Sequence, residues 1–118
     1  MQDPDCLFCK IAAGSLPATL VREDEHTLAF RDIAPQAPTH VLVIPRVHVA
    51  SLWELDDPAL AGACLHAAAE VAREEGLAAG WRLIANTRDD GGQEVPHLHL
   101  HVLGGRRLGP MLTSTAGI

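Results

Sequence analysis

The hydrophobic pattern of the chain switches between two periods. Over residues 97–103 histidine and aliphatic positions alternate strictly, as His97-Leu98-His99-Leu100-His101-Val102-Leu103. In a β-strand, side chains at i, i+2 and i+4 line one face, so this stretch predicts a strand with its three histidines in a row about 6.5–7 Å apart. Leu98, Leu100 and Val102 then fill the opposite face. His40-Val41-Leu42-Val43-Ile44-Pro45 is continuously aliphatic after its first residue, which predicts a strand buried on both faces. Thr19–Glu23 and His26–Asp32 read as a strand pair turned at Asp24-Glu25, and Trp81–Asn86 as a further strand. Between residues 58 and 75 the period changes: Leu60, Cys64, Ala67 and Val71 form one stripe at helical spacing, with His66 off it and solvated. Asp56 or Asp57, followed by Pro58, opens that helix, and Gly76 or Gly80 ends it. Ser51 caps a short turn through Leu55. Cys6–Ala13 predicts a short helix stopped by Gly14 and Pro17, with Phe8 and Ile11 on one face.

Short connections favour an antiparallel meander. The expected fold class is therefore α+β: about five antiparallel strands with one long and one short helix, in one domain spanning residues 1–118. One long helix covers one sheet face and leaves the other for a ligand. No apolar run reaches the ~18 residues of a membrane span, and the acidic start Met1-Gln2-Asp3-Pro4-Asp5 has no apolar signal region. Three cysteines, an odd number, argue against a disulfide framework and for a reduced, cytoplasmic setting. A net charge of −6 argues against a nucleic-acid surface but leaves room for a mononucleotide at one local site.

Three aligned imidazoles suit two chemistries: metal binding, or covalent and acid–base work near neutral pH. The turn Asp90-Gly91-Gly92-Gln93 precedes them, and exposed backbone N–H groups beside imidazoles suit a phosphate. Asp32 and Asn86 by themselves read as a turn aspartate and a strand-end asparagine. A lone Cys6-x-x-Cys9 reads as two reduced cysteines on a short helix.

The run Gly91-Gly92-Gln93-Glu94-Val95-Pro96-His97-Leu98-His99-Leu100-His101-Val102-Leu103-Gly104-Gly105-Arg106 closely resembles the histidine triad (HIT) superfamily, and its trailing Leu-Gly-Gly-Arg resembles the Hint branch of nucleoside phosphoramidate hydrolases. Asp32-Ile33-Ala34-Pro35-Gln36-Ala37-Pro38-Thr39-His40 and Leu108-Gly109-Pro110-Met111-Leu112 match the same branch, so the likeness covers nearly the whole chain. It implies a hydrolase acting on P–N or P–O–P bonds of purine nucleotides through a covalent nucleotidyl-histidine on His99. His101 would hold a phosphate oxygen, with His97 and His40 setting the tautomer of His99. Phe8 and Ile11 would line the base pocket, Asp32 would accept from the ribose hydroxyls, and Ile33 would join the substrate-binding residues beside it. Asn86 would touch phosphate or ribose, and backbone N–H groups over Gly92, Gln93 and Glu94 would stabilise developing charge. Glu94 departs from the animal members, which carry Ser there; a glutamic acid could protonate a leaving amine only with a raised pKa.

Some bacterial relatives bind structural zinc through such a cysteine pair and two histidines, which here are Cys6, Cys9, His48 and His97. The resemblance further implies a homodimer with a continuous sheet and paired long helices, which would cover an open sheet edge. Three alternatives stay open at this stage. They are a dinucleoside polyphosphate hydrolase of the same superfamily, a non-catalytic nucleotide-binding adaptor, and a zinc hydrolase using all three histidines. The first usually follows the triad with Pro-Arg, where this chain has Gly104-Gly105-Arg106.

Overall fold

The computed structural model describes residues 3–112. A six-residue helix α1 (Leu7–Ala12) is followed by strands β1 (Leu20–Glu23), β2 (Thr27–Arg31) and β3 (Thr39–Pro45). The long helix α2 (Pro58–Glu74) and strands β4 (Trp81–Ile84) and β5 (Leu100–Gly104) complete the fold. The five strands form one antiparallel sheet in the order β1-β2-β3-β5-β4.

The expected class holds, but the path is not a plain meander. After β3 the chain crosses the sheet through α2 and lands at the far edge as β4; β5 then returns to the gap beside β3. The burial pattern explains which strand goes where. β4 alternates exposed and half-buried positions and carries Arg82, so it tolerates an edge. Leu100, Val102 and Leu103 of β5 are buried and need neighbours on both sides.

β3 is the hinge of the packing. Its odd positions Val41 and Val43 join Ala29, Leu100 and Val102 against Cys64, Ala67, Ala68 and Val71 of α2. Its even positions Leu42 and Ile44 join Leu28 and Phe30 on the other face, against Cys6, Phe8 and Cys9 around α1. A strand between two cores has no polar face, hence the continuous aliphatic run. The α2 stripe is buried as its spacing predicts, with Leu60 partly so, and His66 is exposed. Asp57 caps α2 by accepting from the N–H groups of Ala59 and Leu60 at 3.0 and 3.2 Å, with Pro58 in the first turn. Past the end of α2, Gly76 takes φ +73°, the left-handed conformation that ends helices at little steric cost.

The histidine stretch departs from expectation at its start: the ladder begins at Leu100, not His97. The β3–β5 register pairs Val43 with Leu100, so continuing it would set Leu98 opposite Pro45. Proline has no N–H to donate to a ladder. The Leu98 N–H instead donates to the Val49 carbonyl at 2.7 Å, and residues 97–99 leave the sheet. The Leu98, Leu100 and Val102 side chains are buried as expected.

Candidate active site and metal centre

Leaving the ladder splits the histidine row into two sites. His97 is fully buried and turns its Nδ1 toward Cys6 and Cys9, with Sγ atoms at 3.3 and 3.4 Å. His99 and His101 stay together, ring centroids 5.1 Å apart, and line a cleft of about 390 Å³ on the α1 face of the sheet. Phe8 packs its ring edge against His99 at 5.1 Å and against Phe30 at 5.5 Å, which walls one side of the cleft. Asp32, His40, Asn86, Gly92 and Glu94 also line it. A larger depression of about 840 Å³ runs beside β4, but neither a histidine nor a carboxylate lines it.

Backbone groups decide the proton positions on the three buried imidazoles, and through His40 on the half-buried His101. A carbonyl oxygen only accepts, so the nitrogen facing it carries the hydrogen. His99 Nδ1–H donates to the His97 carbonyl at 2.7 Å, which leaves the Nε2 lone pair free. His97 Nε2–H donates to the Pro45 carbonyl at 2.9 Å, which leaves the Nδ1 lone pair for the cysteine side. The Gln36 N–H donates to His40 Nδ1 at 3.0 Å, so a neutral His40 carries its hydrogen on Nε2. That Nε2–H donates to His101 Nδ1 at 2.9 Å, which puts the His101 hydrogen on Nε2. The pair in the cleft therefore offers one lone pair, from His99, and one donor, from His101.

Burial disfavours the charged form of His40, His97 and His101. Burial pushes His101 down to about 4, and its neighbours His99 and His40 push the same way. Burial lowers His40 as well, against the opposing Asp32 carboxylate, whose Oδ2 lies 3.5 Å away. His97 is pushed down to about 4, chiefly by burial.

The other expected residues fall in different places. Asp32 Oδ1 accepts from the Ala34 N–H at 2.8 Å, leaving part of its carboxylate at the cleft. Asn86 donates to the Gly91 carbonyl at 2.8 Å and holds the glycine turn. Glu94 is exposed at the cleft rim. The Gln93 side chain faces away: its Nε2 donates to the carbonyls of Ala50 and Val95, and its Oε1 accepts from the Arg88 N–H. It braces the loop, and its own N–H donates to the Arg88 carbonyl at 3.1 Å, as the Gly92 N–H does to the Asp89 carbonyl at 3.0 Å, so neither N–H is free for a ligand, against expectation. Ile11 packs with Phe8 in the small core and is not part of the cleft wall, and Ile33 is fully exposed. His40 abuts His101, not His99; the His97 carbonyl orients His99 instead. Gln36 and Pro45, which set two of the tautomers, act through backbone atoms and leave no side-chain signal in the sequence.

Cys6, Cys9, His48 and His97 form a compact metal-ligand cluster, their donor atoms all within 4.8 Å of one another. Around a tetrahedral ion with Zn–S of about 2.3 Å and Zn–N of about 2.0 Å, sulfur and nitrogen stand about 3.5 Å apart. Here the Cys6–His97, Cys9–His97 and Cys9–His48 separations are 3.3, 3.4 and 3.4 Å. The sulfurs accept backbone N–H groups, Cys9 N–H onto Cys6 Sγ at 3.3 Å and Asp3 N–H onto Cys9 Sγ at 3.4 Å, which suits thiolates. Burial, with some help from Cys6, raises the Cys9 thiol above its ordinary value, and a bound cation would offset that. The donor set and its spacing fit a four-coordinate metal.

Residues 13–108 match the HIT domain family. The chain belongs to that family. Among HIT relatives, it is 46% identical over 112 residues to the purine nucleoside phosphoramidase of Escherichia coli K12, covering 92% of this chain and 93% of that one. A solved histidine triad protein from Clostridium difficile superposes with a TM-score of 0.89 at 43% identity, over 93% of this chain and 98% of that one. A HIT family hydrolase from Legionella pneumophila gives 0.86 at 52% identity, over 89% and 96%.

Proposed function

We propose that this HIT protein is a single-domain nucleotidyl hydrolase that cleaves the P–N bond of purine nucleoside phosphoramidates through a nucleotidyl-histidine on His99. The observation that carries this reading is the free Nε2 lone pair of His99 at the cleft, left there by the 2.7 Å bond from its Nδ1–H to the His97 carbonyl. A neutral imidazole attacks phosphorus without first losing a proton, and the resulting phosphoimidazolium is reactive enough for water to cleave. His101 Nε2–H, oriented by His40, donates to a phosphate oxygen and stabilises the charge that builds there. The Gly92 and Gln93 N–H groups already donate to the Asp89 and Arg88 carbonyls, so the Glu94 N–H is the one on this turn that serves the same charge. Asp32 accepts from the ribose hydroxyls, and Phe8 supplies an apolar wall for the base. The amine leaves toward the exposed Glu94 rim, where solvent supplies its proton.

The relative named purine nucleoside phosphoramidase, at 46% identity over almost the whole chain, supports the substrate class. Zinc is the ion proposed for the Cys6, Cys9, His48 and His97 cluster. With four protein donors no coordination position stays open for water, so its chemistry there is structural. Free thiols in that cluster fit a reducing cytoplasmic setting, and among the described residues no helix is long and apolar enough to cross a membrane. A homodimer through the β4 edge fits the half-exposed Trp81 and Leu83 there.

The test compares turnover of adenosine phosphoramidate with that of diadenosine polyphosphates, in wild type and His99→Ala. We expect preference for the phosphoramidate and a nucleotidyl adduct trapped on His99 by acid quench. His99→Ala should lose about 10³-fold or more in kcat, as when a nucleophile is removed. Near-wild-type turnover in that variant would end the proposal. A preference for diadenosine polyphosphates would move the substrate class.

A further inference from the structure

His97 belongs to both sites at once. Its Nδ1 faces the two cysteine sulfurs, its Nε2–H is tied to the Pro45 carbonyl, and its own carbonyl receives the His99 Nδ1–H. The residue is fully buried, so no water competes for these bonds. It also lies outside the β5 ladder, so sheet pairing does not hold its carbonyl in place. The remaining ties on this segment are its own N–H to the Val95 carbonyl and the Leu98 N–H to Val49. The orientation of the carbonyl that sets the His99 tautomer therefore depends on what grips the His97 ring.

With His99 taken as the nucleophile, as proposed above, we infer that the Cys6, Cys9 and His48 cluster acts through His97 to position His99. A zinc ion held by these residues fixes the His97 ring, the ring fixes the His97 carbonyl, and the carbonyl keeps the His99 hydrogen on Nδ1. His97 is thus a positioning residue, and the two cysteines, 91 and 88 residues before it in the chain, act on catalysis without touching substrate. Without the ion, the buried His97 Nδ1 keeps only the weak S–H donors of Cys6 and Cys9, with the His48 ring 5.1 Å away. One of the two anchors of the ring is then weakened, and His99 samples the tautomer whose Nε2 is protonated and cannot attack. Residues that orient a ligand histidine in this way commonly change activity by about 10–100-fold when removed.

The experiment labels the histidines with ¹⁵N and reads the His99 ring at pH 8 by its nitrogen shifts and couplings. The samples are zinc-loaded wild type, wild type stripped by a chelator, and the Cys6→Ser, Cys9→Ser double variant. Zinc-loaded protein should show a single Nδ1–H tautomer for His99. The stripped protein and the double variant should show the second tautomer, with kcat lowered about tenfold or more and KM within about twofold. Zinc alone should restore tautomer and kcat to stripped wild type but not to the double variant. If the double variant does not fold, His48→Ala, at a half-buried ligand position, should show the same change. A His99 that stays wholly Nδ1–H with unchanged kcat in folded, zinc-free protein would overturn the inference, as would a wild-type chain that binds no zinc. The tautomer is read without turnover, so a failure of the His99 nucleophile assignment would appear separately, as activity surviving His99→Ala.

Discussion

At the scale of single residues, the site works by withholding protons. His40 and His101 are held below the ordinary histidine range, His101 down to about 4, with burial as the main cause. In the unfolded chain each would titrate near 6.5. Between that value and about 4 the unfolded state binds a proton at His101 that the folded state does not, and His40 contributes with the same sign. Stability from both groups is therefore present above about pH 6.5 and is lost as pH falls, for His101 toward 4. His101→Asn removes one of them, so its melting temperature should fall less steeply than that of wild type between pH 7 and 4.5. A slope equal to wild type would show that His101 is not held neutral by the fold. The same variant loses the Nε2–H that the cleft offers to phosphate, so its kcat should drop while it remains folded.

At the scale of elements, the turn between β4 and β5 is set by close backbone contact. A Cβ on Gly91 would lie 2.4 Å from the Thr87 carbonyl oxygen and 2.8 Å from its nitrogen, both backbone atoms that cannot step aside. Gly91→Ala must therefore reshape the turn, breaking the bond from Asn86 to the Gly91 carbonyl and shifting the N–H groups at Gly92 and beyond. Steric insertions of this kind cost about 1–3 kcal/mol. We expect a lower melting temperature together with a loss in kcat. By contrast, Gly92 takes φ +78° with open space where its Cβ would go, so Gly92→Ala strains the backbone without a clash. Equal effects from the two substitutions would mean that the contact with Thr87 does not govern the turn.

At the scale of the molecule, β4 is an edge strand whose Trp81 and Leu83 are each 39% exposed, two positions apart on one face. An apolar edge with unpaired backbone groups invites a second strand, and a lysine on the edge discourages it. Sedimentation of the wild type should give twice the chain mass at micromolar concentration. Leu83→Lys should shift it toward the single chain with its far-ultraviolet spectrum unchanged. A wild-type monomer would remove the proposed dimer, and a dimer undisturbed by Leu83→Lys would place its interface elsewhere.

Local pattern alone specified most of the elements. The period-two and period-3.6 stretches, the start of α2 at Pro58 behind Asp56 or Asp57 and the doubly buried β3 follow from local pattern, because hydrophobic periodicity reports which face meets a core; the structure selects Asp57 as the cap. The histidine-rich stretch and the glycine turn before it were likewise legible as a candidate phosphate site. Strand order was not, since β4 and β5 look alike in length and only burial against α2 and β3 separates edge from centre. Nor was the division of the histidine row. Alternation put His97 beside His99 and His101, but Pro45, opposite in register, ended the ladder and swung His97 to the cysteines. The proton positions belong wholly to the tertiary structure. They are set by carbonyls and an N–H at Pro45, His97 and Gln36, backbone groups that every sequence contains and only a fold can aim.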